Sequence, residues 1–116
     1  MSQAKVVERK VFYAGNVVFR EGEEGDRAYL LQEGAIEIVS EAAGGKVLGV
    51  ITPGSLFGEM ALIDDKPRMA TARAKEQSTV VIIGRQAFQE KLQKADPFIR
   101  GLLKIFVRNI RQMADK

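Results

Sequence analysis

Three residue types are missing from the 116-residue sequence: cysteine, histidine and tryptophan. Without cysteine there is no disulfide framework, no thiolate nucleophile and no iron–sulfur or cysteine-ligated zinc site. Without histidine there is no Ser–His–Asp triad, no imidazole base and none of the usual transition-metal ligands. A carboxylate-only enzyme or a Mg²⁺ or Ca²⁺ site survives these exclusions, but the balance moves from catalysis toward binding. Long apolar runs are also lacking, and none approaches the ~18 residues of a membrane span. Met1-Ser2-Gln3-Ala4-Lys5 lacks the apolar stretch of a secretory leader. A soluble, cytoplasmic protein is therefore expected.

What is present has ordinary globular proportions, with 46% hydrophobic and 28% charged residues. A net charge of +3 describes a mixed-charge surface rather than a nucleic-acid footprint. The length suits one domain, since domains cluster near ~100–150 residues, and a core of that size needs no staple. No repeat, low-complexity tract or linker interrupts it. A single domain over 1–116 is expected, with strands over about 10–84 and helices over about 85–116.

Up to Gly84 the chain reads as short strands punctuated by turns. Val17-Val18-Phe19 follows a Gly15-Asn16 turn, and Ala28-Tyr29-Leu30-Leu31 follows Gly25-Asp26. Ala35-Ile36-Glu37-Ile38-Val39 alternates apolar and polar, and Gly44-Gly45 reads as a hairpin with Val47–Ile51 as the return strand. Thr79-Val80-Val81-Ile82-Ile83 is strongly β-branched. Strands of this length and spacing predict a mainly β protein with helices, built as a jelly-roll-type β-barrel.

Beyond Gly84 the period changes. Arg85 to Lys94 carries Phe88 and Leu92 four apart, the spacing of a short amphipathic helix. Asp96 then reads as an N-cap with Pro97 at the first helical position. Ile99, Leu102, Leu103, Phe106, Ile110 and Met113 recur at three- and four-residue steps, with Arg100, Lys104, Arg108 and Arg111 on another face. Two readings of this helix are open. It packs on the barrel with its cations solvated, or it serves as a lid or docking surface.

One segment fits neither regime. Gly58-Glu59-Met60-Ala61-Leu62-Ile63 is helix-prone among strands, and Asp64-Asp65-Lys66-Pro67 must turn before Arg68. The first turn of such a helix presents unsatisfied N–H groups that favour an anion. Arg68 can bring a guanidinium fork to the same anion, and Glu59 can accept from a hydroxyl. Amides, one Arg and one Glu together specify a phosphate joined to a sugar. By contrast, Gly44-Gly45-Lys46 lacks P-loop spacing, and Glu23, Glu24 and Asp26 lack EF-hand spacing.

Phe57-Gly58-Glu59-Met60-Ala61-Leu62, followed by Pro67-Arg68-Met69-Ala70-Thr71-Ala72-Arg73-Ala74, resembles the phosphate-binding cassette of cyclic nucleotide-binding domains. That family includes regulatory subunits of cyclic AMP-dependent protein kinase, catabolite activators and cyclic nucleotide-gated channels. Glu21-Gly22-Glu23-Glu24-Gly25-Asp26, Tyr29 and Gly34 match its early turns, and the terminal helices look like its B and C helices. The resemblance implies a short phosphate-binding helix within the β-roll and a ligand site of Gly58, Glu59, Met60, Ala61, Arg68, Met69, Ala70 and Thr71. Glu59 would accept from the ribose 2′-hydroxyl. Gly58 would allow close approach, and the turn's amides, Ala61 included, would meet phosphate oxygens. Arg68 would pair with the phosphate, while Met69 and Ala70 would flank phosphate and base with Thr71 nearby. The C-terminal helix would close over the base, with Phe106, Arg108 or Arg111 as the capping side chain.

In that family a Thr directly after the cassette Arg tends to accompany cyclic GMP (cGMP) preference. Met69 offers no such hydroxyl, so cyclic AMP (cAMP) is the expected ligand, with cGMP the alternative. No catalytic residue set, cofactor or metal site is expected, and no second helical pair is present to enter a DNA groove. Three functions remain open: a stand-alone cAMP sensor that signals by C-helix movement, a regulatory fragment of a larger channel, kinase or transcription regulator, or a nucleotide-free interaction scaffold. The Met1-Ser2 start favours a complete small protein. The helix's apolar stripe leaves open a homodimer or an unknown effector as partner.

Overall fold

The structure is a computed structural model that describes residues 8–114; the N-terminal segment read for a leader and the last two residues of the chain lie outside them. Eight strands come first: β1 (Glu8–Phe12), β2 (Val17–Phe19), β3 (Arg27–Glu33), β4 (Ile36–Ser40), β5 (Lys46–Ile51), β6 (Leu56–Phe57), β7 (Thr71–Ala74) and β8 (Ser78–Gly84). A short helix, α1 (Met60–Asp64), interrupts them, and α2 (Arg85–Gln93) and α3 (Pro97–Ala114) follow.

The strands form two four-stranded antiparallel sheets, ordered β1-β8-β3-β6 and β2-β7-β4-β5. Every connection except β4-to-β5 passes from one sheet to the other. That is the two-sheet way for a chain of short strands to cover its core. It corrects the expected barrel: no strand pairing among the described residues joins the two sheets. Each sheet keeps two edges, and packing rather than a closed ladder unites them.

Period-2 alternation builds the core. Tyr29 and Leu31 of β3, Ala72 and Ala74 of β7, and Val80 of β8 face inward with Phe12, Ile36 and Phe57. Small alanines on β7 make room for the large rings opposite, which is how facing layers reach native density. β8 lies between β1 and β3, so its β-branched run is paired on both sides. The edge strand β1 was not anticipated from the sequence. Its Glu8, Arg9 and Lys10 are exposed charges, which blunt an open edge against further pairing.

The helices start where the sequence places them. Asp96 caps α3, accepting from the Phe98 amide at 2.7 Å through Oδ1 and from the Arg100 amide at 3.0 Å through its carbonyl. The orientation of α3 differs from the expected one. Val107 is buried and Leu103 half-buried, and Arg111 lies on the same inward face. Phe98 (73% exposed), Phe106 (52%) and Met113 (71%) point outward. Hence most of the apolar stripe faces away from the body, and one of the cations is turned in. Among the described residues, no helix is long and apolar enough to cross a membrane.

Gly34 links β3 to β4 at φ +98°, where an added Cβ would lie 2.3 Å from Ser78 Oγ and 2.5 Å from Gln77 O. Ser78 is fully buried, accepting from the Ala35 amide and donating to Glu76 O. Gly34→Ala is expected to cost more than the roughly 1–3 kcal/mol of left-handed strain alone. Gly44→Ala, at φ +74° in open space, should cost only the strain. Urea denaturation of both variants checks this; equal losses would exclude the packing contribution at Gly34.

Candidate functional site

β6 delivers the chain into a turn at Gly58, whose φ is +78°. A Cβ there would meet Arg68 Nη1 and Phe19 Cε2, each at 3.0 Å. Glycine is therefore required both by backbone conformation and by space. α1 follows at once. Its first bonds run from Leu62 N–H and Ile63 N–H, both to Glu59 O. The amides of Met60 and Ala61 precede them and point out of the helix start. At the other end Asp65 closes α1 in the left-handed conformation (φ 57°), its N–H donating to Ala61 O.

Arg68 lies beyond this turn and is 6% exposed. Its backbone is fixed from both sides: its N–H donates to Glu23 O, and its carbonyl accepts from Gly22 N–H, each at 2.8 Å. Here the acidic early turn finds its structural use. The guanidinium donates from Nη1 to Gly58 O (2.6 Å) and from Nη2 to Arg27 O (2.8 Å). Its carbon lies 4.1 Å from the centroid of the Phe19 ring, a cation–π contact. Phe19, Tyr29 and Phe57 form one aromatic cluster behind it, with centroids 5.3–6.3 Å apart. Gly25 closes the remaining side, since a Cβ there would lie 2.7 Å from Arg68 Cζ. Nε is buried and has no hydrogen-bond partner.

Both acceptors of Arg68 are carbonyls, and no carboxylate among the described residues forms a salt bridge with it. Burial pushes its pKa down, and the nearby carboxylates of Asp26 and Glu23 act against that. An arginine stays protonated through such a shift. The result is a buried positive charge only partly compensated by dipoles. Glu59 faces the same space, and burial pushes its pKa up; its own backbone hydrogen bond and Arg68 act against that.

Gly58, Glu59, Met60, Ala61, Arg68, Met69 and Ala70, all expected from the sequence, line one cavity of about 180 Å³. Phe19, Ile38, Ile51, Leu56 and Phe57 complete its wall, and Arg111 reaches it from α3. Thr71 does not line it. Its hydroxyl accepts from the Glu21 amide at 2.9 Å and donates to the Glu41 carboxylate. It starts β7, and alternation turns it away from the side that Ala70 lines. Of the three candidate caps only Arg111 is at the cavity; Phe106 and Arg108 are exposed. The apolar wall was missed because Ile38 and Ile51 are ordinary strand residues in sequence. Their one available signal was their place on the inward side of a paired hairpin, opposite the cassette.

Glu59 gives a pH prediction. Burial makes its pKa higher folded than unfolded, so ionising it costs stability, a cost that is absent below the unfolded value and builds as pH rises through the folded one. Glu59→Gln should raise the melting temperature of the ligand-free chain at pH 7. The gain should fade as pH falls through the raised folded pKa and be gone below the ordinary Glu value of 4.5. Melting curves across pH check this, and a gain that persists at pH 3 would exclude the burial origin.

A family model described as the cyclic nucleotide-binding domain matches residues 9–95. A cAMP-dependent protein kinase regulatory subunit of Emericella nidulans is 39% identical over 89 residues, which is 77% of this chain and 21% of that protein. The EAL enzyme Bd1971 superposes with a TM-score of 0.85 in its cAMP-bound form (29% identity, 91% of this chain, 29% of the other). Its cGMP-bound form also gives 0.85 (28% identity, 93% and 29%). PKAR CBD2 with bound Sp-2Cl-cAMPS gives 0.70 (30% identity, 94% and 68%). The chain spans about a fifth to a quarter of the length of the first curated relatives it matches. With a match over well above half its length, the chain belongs to the cyclic nucleotide-binding domain family.

Proposed function

We propose that this chain is a binding module rather than an enzyme, and that its ligand is a cyclic nucleotide, cAMP ahead of cGMP. The observation that carries this is Arg68: a buried guanidinium with a free Nε–H and no carboxylate partner, in one cavity with Glu59. An anion in that cavity offsets a cost already incurred by folding. A cyclic phosphate would pair with Arg68 and the amides of Met60 and Ala61. The ribose 2′-hydroxyl would donate to Glu59. The base would lie along Ile38, Ile51, Leu56 and Met69, apolar surface suited to a flat ring.

The rest of the reading concerns output. The domain acts as a single unit in which α2 and α3 form the mobile lid and Arg111 faces the base. Ligand binding favours one lid position over another through differential affinity. The outward apolar stripe of α3 then meets an effector or a second copy of the chain. The reading places the module in the cytoplasm, acting as a sensor or as the regulatory part of a larger channel, kinase or transcription regulator. A nucleotide-free scaffold is the competing reading, and Arg68 speaks against it, since a scaffold gains nothing from a buried cation without a counter-charge.

Calorimetric titration with cAMP and cGMP tests the proposal. Arg68→Ala is expected to abolish measurable binding, because it removes the one buried cation among the described residues, which would face the phosphate; unchanged affinity would overturn the site. Any native-state ligand must raise the melting temperature, so no shift with either nucleotide would favour the scaffold. Met69→Thr supplies a hydroxyl beside the base. It should raise the cGMP-to-cAMP affinity ratio by about threefold to tenfold, the worth of one hydrogen bond, and an unchanged ratio would exclude Met69 as the selector.

A further inference from the structure

Apart from Arg111, the basic face of α3 takes no part in the ligand cavity. Pro97, Gly101, Lys104 and Arg108 follow one another at three- and four-residue steps, so they share one stripe of the helix. This stripe is one wall of a groove. α1 supplies another through Ile63 and Asp65, and α2 a third through Gln89, Leu92 and Gln93. The hollow between them measures about 380 Å³. A second hollow of about 310 Å³ continues it past Lys66 toward Arg108, with Ile63, Asp65 and Lys104 common to both. Neither shares a residue with the cavity of Glu59 and Arg68.

The uncommitted charge around the groove is of one sign. Where α3 packs on α1, Arg111 donates to both oxygens of Asp64, at 2.5 and 3.1 Å. Arg85 donates to Asp65 at 2.7 Å. Both acids are thereby occupied. Arg100 donates to a carbonyl, Gln93 O, at 3.3 Å. Lys66, Lys104 and Arg108 form no ion pair among the described residues. Four cations therefore border a floor of Ile63, Leu92 and Pro97 without a carboxylate partner. The wider charge distribution has the same sense. Residues 85–114 hold seven basic side chains against Glu90 and Asp96, whereas 8–84 hold nine against twelve acids. The sheets repel an anionic partner and the helical end attracts it.

Gly101 lies inside α3, where glycine is the poorest helix former after proline. A Cβ added there would meet nothing within 4 Å, and its backbone is not left-handed. Neither conformation nor packing among the described residues requires a bare backbone at this point. A second chain lying in the groove would require it, because glycine permits close approach.

We propose that the groove between α1, α2 and α3 docks an acidic, amphipathic protein segment. Carboxylates of that segment pair with Lys66, Arg100, Lys104 and Arg108 at the rim. Its apolar side chains enter between Ile63, Leu92 and Pro97, and its backbone crosses at Gly101. Covering the rim cations strengthens these pairs by excluding water. A bilayer is too flat to reach the floor, and a phosphate chain offers nothing apolar to fill it. The groove lies outside the ligand cavity, and its occupant is independent of any nucleotide.

The test selects binders to the full 116-residue chain from a library of displayed random dodecapeptides. Enriched peptides are expected to combine Asp or Glu with Leu, Ile or Phe. The best of them, made synthetically, is then titrated by fluorescence anisotropy. Lys104→Glu and Arg108→Glu should each weaken it about tenfold or more, and added salt should weaken it too. Lys46→Glu makes the same charge change on β5 and should leave affinity within about twofold of wild type. Gly101→Ala should melt no lower than wild type, since alanine favours helix. It should nonetheless bind at least about fivefold more weakly, because its methyl group occupies the crossing point. Should a charge reversal fail to fold, Gly101→Ala decides. Enrichment of neutral or basic peptides, or no enrichment, would overturn the docking site. So would an equal loss in Lys46→Glu or unchanged binding in Gly101→Ala. Vesicles of phosphatidylcholine with phosphatidylserine form the remaining arm. Lys104-dependent binding to them without peptide enrichment would identify a lipid surface and overturn the protein partner. No readout involves a nucleotide, so failure here leaves the ligand site standing, and the reverse holds.

Discussion

Keeping a guanidinium out of water without a counter-ion is costly, and much of this chain is arranged to hold Arg68 in that state. Gly22 and Glu23 fix its backbone. Gly25 and Gly58 give up side chains to make room for it. Two carbonyls and the Phe19 ring offset part of the desolvation. None of them neutralises the charge. The early turn, the β6–α1 junction and the aromatic cluster are thus parts of one device that presents a fixed positive charge to the cavity.

The same arrangement explains how such a site is built without cysteine or histidine. Its poles are a cation that stays charged, a carboxylate and the backbone amides at the start of α1. A histidine at either pole would alter its charge between pH 5 and 8. On the proposed reading, recognition would depend on the ligand's own phosphate and hydroxyl groups, not on a proton exchanged with solvent.

Much of this was legible in the sequence, for identifiable reasons. Asp96-Pro97 marks a helix start with two independent signals, and both appear in the cap geometry. The β-branched run at 79–83 becomes the doubly paired β8. The resemblance to the phosphate-binding cassette implies that Gly58 to Ala61 and Arg68 to Ala70 share one site, and these residues line one cavity. β1 and β7 were hidden because charges on one and alanines on the other depress strand propensity, while pairing and packing override it. The orientation of α3 was hidden for a deeper reason. Periodicity shows that a helix has faces but not which face meets the body. That choice was made by Asp64, forty-seven residues away, in favour of the stripe carrying Val107 and Arg111.

The alternation of the chain between two sheets has a consequence for how the molecule comes to exist. Glu8 pairs with Ile82, and Val17 with Arg73, so both sheets wait for distant sequence. Folds dominated by such pairings close slowly, on the order of milliseconds to seconds. On a ribosome, β3 would emerge long before its partner β8. During that interval Tyr29 and Leu31 have no facing layer, and Arg68 has no pocket. The cavity is therefore a late product of folding rather than a nucleus for it. α3, seated mainly on α1, can dock only after the sandwich has formed beneath it.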